Sequence, residues 1–147
     1  MNRWSQCLLL GTILAGGYVI YVSVMASLQE RIIFVGQGIP MTTNLREENS
    51  LAFYTKLKTS FGEVHACYLE SERDFDDCPI VFVAHGNAET IGHWEAITGH
   101  LNQLGLSVFL VEYPGYGGSD GLPSKETIAE TFDQGHAWLE TRGLSRR

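Results

Sequence analysis

Two short glycine-bearing segments hold the residue types from which chemistry can be built. The first is His85-Gly86-Asn87-Ala88. It follows Pro79-Ile80-Val81-Phe82-Val83-Ala84, an apolar, β-branched run too short for a stable helix and suited to a strand buried on both faces. A strand that ends in such a turn and then enters a helix leaves backbone N–H groups at the carboxyl edge of a sheet. There they can hold a ligand or a developing negative charge. The second segment is Gly117-Gly118-Ser119-Asp120-Gly121, a literal Gly-x-Ser-x-Gly. That pattern presents a nucleophilic serine only when the serine sits on a sharp turn directly between strand and helix. Ser119 stands seven residues beyond Glu112, inside a long glycine-rich loop, so its context argues against that role.

The other side chains that could react or ligate do not assemble into a set. His65, His93, His100 and His136 fall on an expected hairpin strand and two expected helices, with nothing to pair them. Glu89 and His93 have helical i, i+4 spacing, but two ligands without a third make no metal site. His85 is expected to orient its turn by hydrogen bonding rather than to titrate in catalysis. No cofactor or metal is expected.

These segments need elements to position them. Thr90 is an expected N-cap, and Ile91, Trp94, Ile97, Leu101 and Leu104 recur at helical spacing until Gly105 stops the helix. A strand, Leu106 to Glu112, follows at once. After the loop Tyr113 to Gly121, a second amphipathic helix begins with Ser124 or Thr127 as cap, the latter with Glu130 in a capping-box arrangement. It carries Ile128, Phe132, Gly135 and Leu139 on one face and ends at Gly143. Strand, helix, strand and helix with short connections imply parallel strands in an α/β sheet covered on both sides. Upstream, Leu51 to Lys58 and Glu63 to Leu69 read as a hairpin turning around Ser60-Phe61-Gly62. Glu70 to Asp77 reads as a solvated acidic turn.

The pairing of His85-Gly86-Asn87-Ala88 with Glu112-Tyr113-Pro114-Gly115-Tyr116-Gly117-Gly118-Ser119-Asp120-Gly121, each after a buried strand, resembles the α/β-hydrolase fold over about residues 28 to 143. Within it the chain is most similar to the membrane-anchored BEM46-like and serine-aminopeptidase-like branch. The resemblance implies the amino-terminal half of a hydrolase sheet, a β-hairpin and then β-α-β-α. It makes the backbone N–H of Asn87, or of Ala88 beside it, an oxyanion donor supported by His85 and Gly86. It also implies that the nucleophile lies at the end of a fifth strand, which would begin around Arg147, with the acid and histidine later still. By that count no catalytic residue lies in this chain. The strand before His85 would sit between the fourth and fifth strands, leaving an edge unpaired where association is expected.

From Cys7 to Ala26 runs an uncharged stretch that, at about 1.5 Å per residue, is long enough for a bilayer core of about 30 Å. Residues 1–27 are thus expected to be a membrane anchor, with 7–26 in the bilayer, or a signal peptide cleaved near Ala26 after Val24-Met25-Ala26. The apolar run exceeds a signal core of about 7 to 15 residues, which favours the anchor. Arg3 on one side faces Arg31 and Arg46 on the other, a slight bias toward a cytoplasmic amino terminus and an extracytoplasmic bulk. Cleavage would instead give a secreted or periplasmic protein. Residues 28–147 are expected to form an incomplete hydrolase domain. A net charge of −7 without a basic patch argues against nucleic acid as a partner. Three cysteines are too few for a disulfide scaffold, although Cys67 and Cys78 could form one bridge.

Three functional readings follow. By resemblance, the chain is the amino-terminal part of a membrane-anchored serine hydrolase acting on an ester, thioester or amide of a small-molecule or lipid-like acyl substrate, and is inactive alone. The alternatives are a non-catalytic membrane-bound binding module and a small hydrolase that uses Ser119.

Overall fold

A computed structural model describes residues 2–41, 52–71 and 78–144 and divides into two units, Met1–Ile33 and Phe34–Arg147. Most of the expected acidic turn and the position of Arg46 lie outside the described residues.

The first unit is one continuous helix, α1 (Arg3–Ile33), of 31 residues. Its most apolar window has a mean hydropathy of 2.0, and none of its residues is buried. It is long and apolar enough to cross a membrane. Its hydroxyls turn back onto its own carbonyls: Thr12 Oγ donates to Leu8 O at 2.9 Å and Ser23 Oγ to Val19 O at 2.8 Å, which satisfies polar atoms that an apolar medium would leave costly. Leu28 to Ile33 form its last turns. Leu28, Gln29, Glu30 and Arg31 are good helix formers, and no proline interrupts them.

The second unit contains β1 (Ala52–Thr59), β2 (Gly62–Leu69), β3 (Ile80–Ala84), α2 (Ile91–Gln103), β4 (Ser107–Val111) and α3 (Lys125–Thr141). Sheet order is β1-β2-β4-β3. The hairpin pairs antiparallel with Thr59 opposite Gly62, so Ser60 and Phe61 form a two-residue turn. β2 runs antiparallel to β4, while β3 lies parallel to β4 with Phe82 opposite Phe109, as a strand–helix–strand crossover requires. The other edge of β3 meets no strand among the described residues.

β4 is buried along its whole length, and its alternation divides the core. Phe109 and Val111 join Leu57, Ala66 and Leu139 of α3 on one face. Val108 and Leu110 join Cys67, Leu69 and Ile91 on the other, where Trp94 and Leu101 of α2 pack. Gly135 lets α3 approach this sheet, since a Cβ there would fall 2.9 Å from Phe82 Cζ and 3.2 Å from Phe109 Cε1.

The expected apolar face of α2 is partly wrong. Ile97 and Leu104 are 54% and 64% exposed, whereas Thr98 and Asn102 point inward. Asn102 earns that place by hydrogen bonds: its Nδ2 donates to Leu69 O at 3.3 Å and to Leu106 O at 3.1 Å. At the start of α3 the cap is Ser124, whose Oγ accepts from Thr127 N at 3.2 Å. Glu130 takes no part in capping. It reaches the hairpin turn, where Ser60 Oγ donates to its Oε2 at 2.7 Å. Cys67 and Cys78 are both buried, and no disulfide joins the described residues.

Candidate functional site: the turn after β3

The parallel pair β3 and β4 ends at Ala84 and Val111, which stand opposite each other, and the two motifs leave the sheet side by side. His85 is buried, while Gly86, Asn87 and Ala88 are exposed. Thr90 caps α2 as expected, with a partner that sequence reading missed: its N–H donates to His93 Nδ1 at 3.1 Å. The neighbouring Glu89 Oε2 accepts from Gly86 N and from Trp94 Nε1, both at 2.7 Å. These two bonds, that to Trp94 first and that to Gly86 second, hold the Glu89 carboxyl below its usual range. Glu89 and His93, the residues with ligand spacing, therefore spend their side chains on the turn and the helix cap.

Beneath the turn lies a buried pair. His85 Nε2 is 2.5 Å from Glu112 Oε1, with the two side chains 1% and 0% exposed. Glu112 Oε2 accepts the N–H of Ile91, the first residue of α2, at 3.1 Å. The other ring nitrogen of His85, Nδ1, is 2.9 Å from the carbonyl oxygen of Gly86. Burial alone lowers the His85 pKa. The close contact with the Glu112 carboxylate, the Gly86 carbonyl and the charge of Glu89 outweigh it, so the imidazole titrates above its ordinary value. One carboxylate thus ties the end of β4, the turn after β3 and the start of α2.

A second tie runs over the top. Tyr116 is fully buried, its hydroxyl accepts from Gly36 N at 3.2 Å and donates to Asn87 Oδ1 at 3.0 Å. Asn87 Oδ1 also accepts from Ala88 N at 3.0 Å. Ala88 has φ +64°, a left-handed conformation that costs an alanine roughly 1–2 kcal/mol. Gly36 is required by close approach, because a Cβ there would overlap the Tyr116 ring and come within 2.8 Å of Ala88 Cα.

The glycine-rich loop is held firmly. Gly38 N donates to Gly115 O at 2.8 Å, Gly117 N to Ile39 O at 3.0 Å, and Asp120 N to Glu63 O at 2.9 Å. Gly117, at φ +56°, presses against the Glu112 carboxylate, where any Cβ would collide. Ser119 is buried, and its Oγ accepts the N–H of His65 at 3.0 Å. It sits eight residues after β4 and six before α3, not on an elbow.

No protein-family profile matches the chain. An uncharacterized protein of Mycobacterium tuberculosis, matched in two strains, is 39% identical over 61 residues, which span 42% of this chain and 22% of that protein. Among solved structures, an alpha-beta hydrolase from Vibrio vulnificus superposes with a TM-score of 0.62 at 18% identity, over 78% of this chain and 42% of that one. A Pyrococcus furiosus esterase gives 0.53 at 14% identity, over 74% and 41%. A Pyrobaculum calidifontis esterase gives 0.51 at 16% identity, over 84% and 39%. At these identities the likeness speaks for the fold: an apolar helix followed by part of an α/β-hydrolase sheet. The chain spans about two fifths of the hydrolase structures it matches.

Proposed function

We propose that these residues are the amino-terminal part of a membrane-anchored serine hydrolase of the BEM46-like or serine-aminopeptidase-like kind, contributing the oxyanion turn. The observation that carries the reading is the exposed turn Gly86 to Ala88, set between the ends of β3 and α2 and underpinned by the buried His85–Glu112 pair. Backbone donors of Asn87 or Ala88 would stabilise the oxyanion of a tetrahedral intermediate, with His85 and Gly86 fixing the turn. By the same resemblance the attacking serine stands on a strand-to-helix turn after a fifth strand, with its acid and histidine later in the chain. The substrate class is a small-molecule or lipid-like acyl compound, cleaved at an ester, thioester or amide. Helix α1 is the anchor, uncleaved, with its amino terminus cytoplasmic and the remaining unit outside the cytoplasm.

Two outcomes test this. The full chain in detergent micelles is expected to resist labelling by a fluorophosphonate probe, and its p-nitrophenyl acetate turnover to match that of Ser119→Ala within about twofold, because the Ser119 hydroxyl is tied to β2. Probe attached to Ser119 would establish the small-hydrolase reading instead. In cells, the chain is expected to remain in the membrane pellet after alkaline carbonate extraction with its amino terminus intact. A soluble product beginning after Ala26 would identify a signal peptide.

A further inference from the structure

We infer that Tyr116 is a positioning residue that latches the turn closed, by holding the Asn87 carboxamide oxygen on the Ala88 N–H. The inference deepens the oxyanion assignment and rests on it. Three polar contacts form one chain: Gly36 N–H donates to the Tyr116 hydroxyl, that hydroxyl donates to Asn87 Oδ1, and Asn87 Oδ1 accepts from Ala88 N. With Gly36 N–H filling its acceptor site, the hydroxyl directs its own proton toward Asn87. Burial first, and the nearby Glu112 charge last, raise the phenol pKa against the opposing Gly36 bond, so the hydroxyl keeps that proton across the physiological range.

The Tyr116 ring cannot swing away easily. It is fully buried, lies 5.8 Å from the His85 ring and meets Tyr113 edge-on at 5.8 Å. Asn87, by contrast, is exposed and linked to the protein interior through this hydroxyl. The consequence is a donor already occupied by the protein's own side chain. For Ala88 N–H to meet an oxyanion, the Asn87 side chain must rotate off it, and the substrate or a neighbouring segment must break the Tyr116 contact.

Hydrogen exchange at the Ala88 amide reads the latch directly and needs no catalysis, so its result is separable from whether the parent protein is a hydrolase. In the full chain in micelles, Tyr116→Phe and Asn87→Ala are each expected to speed Ala88 exchange by about fivefold or more, with the β4 amides of Val108 to Val111 unchanged. Asn87→Asp retains an acceptor oxygen and is expected to keep Ala88 protected, which a merely structural role for residue 87 would not predict. Should Tyr116→Phe loosen β4 as well, the exposed Asn87 substitutions decide the matter. Unchanged Ala88 exchange in Asn87→Ala would overturn the latch, whatever the activity of the parent protein.

Discussion

Replacing Glu112 with alanine is expected to remove about 3–5 kcal/mol of stability, the range for breaking a buried ion pair by deleting one partner. The residue is wholly buried and does two things at once: Oε1 meets His85 Nε2, and Oε2 accepts the first N–H of α2. Alanine would leave a buried imidazole without its carboxylate, an unpaired helix terminus, and a void under Gly117. Against a total of roughly 5–15 kcal/mol for a domain, this is a large share. The thermal midpoint of the chain in micelles, followed by circular dichroism, should fall by roughly 15 °C. Glu112→Gln, which keeps the shape and can still accept from Ile91, should lose about 1–3 kcal/mol. A midpoint within about 3 °C of wild type for the alanine variant would show that the pair does not hold the turn.

The same pair sets the pH dependence. His85 titrates above its ordinary value of 6.5 in the folded chain, so its contribution is fully present below about 6.5 and is lost as pH rises through the folded pKa. Glu89 and Glu130 have folded pKa values lowered from 4.5, and their contributions are present above 4.5 and lost as pH falls through the folded values. Both carboxylates are solvent-accessible, so the acid limb should be shallow. Stability is therefore expected to decline on the alkaline side of 6.5, and Glu112→Gln should flatten that decline.

Phe109→Ala is expected to produce the second large loss, about 3–5 kcal/mol. Phe109 lies in the middle of β4 and is fully buried. Its ring stacks on Trp138 at 5.1 Å and 19° and meets Phe82 edge-on at 5.2 Å and 77°. Truncation would empty the space that joins β3, β4 and α3, and Gly135 across the gap carries no side chain to fill it. Phe109→Leu retains most of the volume and should cost less than half as much. Urea unfolding distinguishes the two: equal midpoints would mean that this contact does not carry the packing of α3.

How far the sequence discloses the fold depends on which interaction governs each element. In the second unit, strands and helices driven by apolar patterning lie within one or two residues of expectation, as with β3 after Pro79 and α2 after Thr90. Patterning misplaced Ile97 and Leu104, because it registers apolar side chains and overlooks polar ones that enter a core to satisfy backbone carbonyls, as Asn102 does. The choice between Ser124 and Thr127 as cap turned on where Glu130 was engaged, and its partner Ser60 lies 70 residues away. At the site, the turn itself was legible from His85-Gly86-Asn87-Ala88. Its supports were not, since Glu112 and Tyr116 touch it only after β3 and β4 align in parallel. One signal was available: a glutamate closing the apolar run Val108 to Val111 implies a buried charge, and a buried charge requires a partner.

The proposal that this chain belongs to a serine hydrolase meets its most direct test in the transcript that encodes it, read through the codon for Arg147. An in-frame segment is expected that supplies a further strand and then Gly-x-Ser-x-Gly on a strand-to-helix turn, able to pair along the edge of β3 that meets no strand among the described residues. A verified stop codon at that point, with stable 16.3 kDa protein in the membrane, would contradict it and assign the turn at His85 to Ala88 to a non-catalytic role.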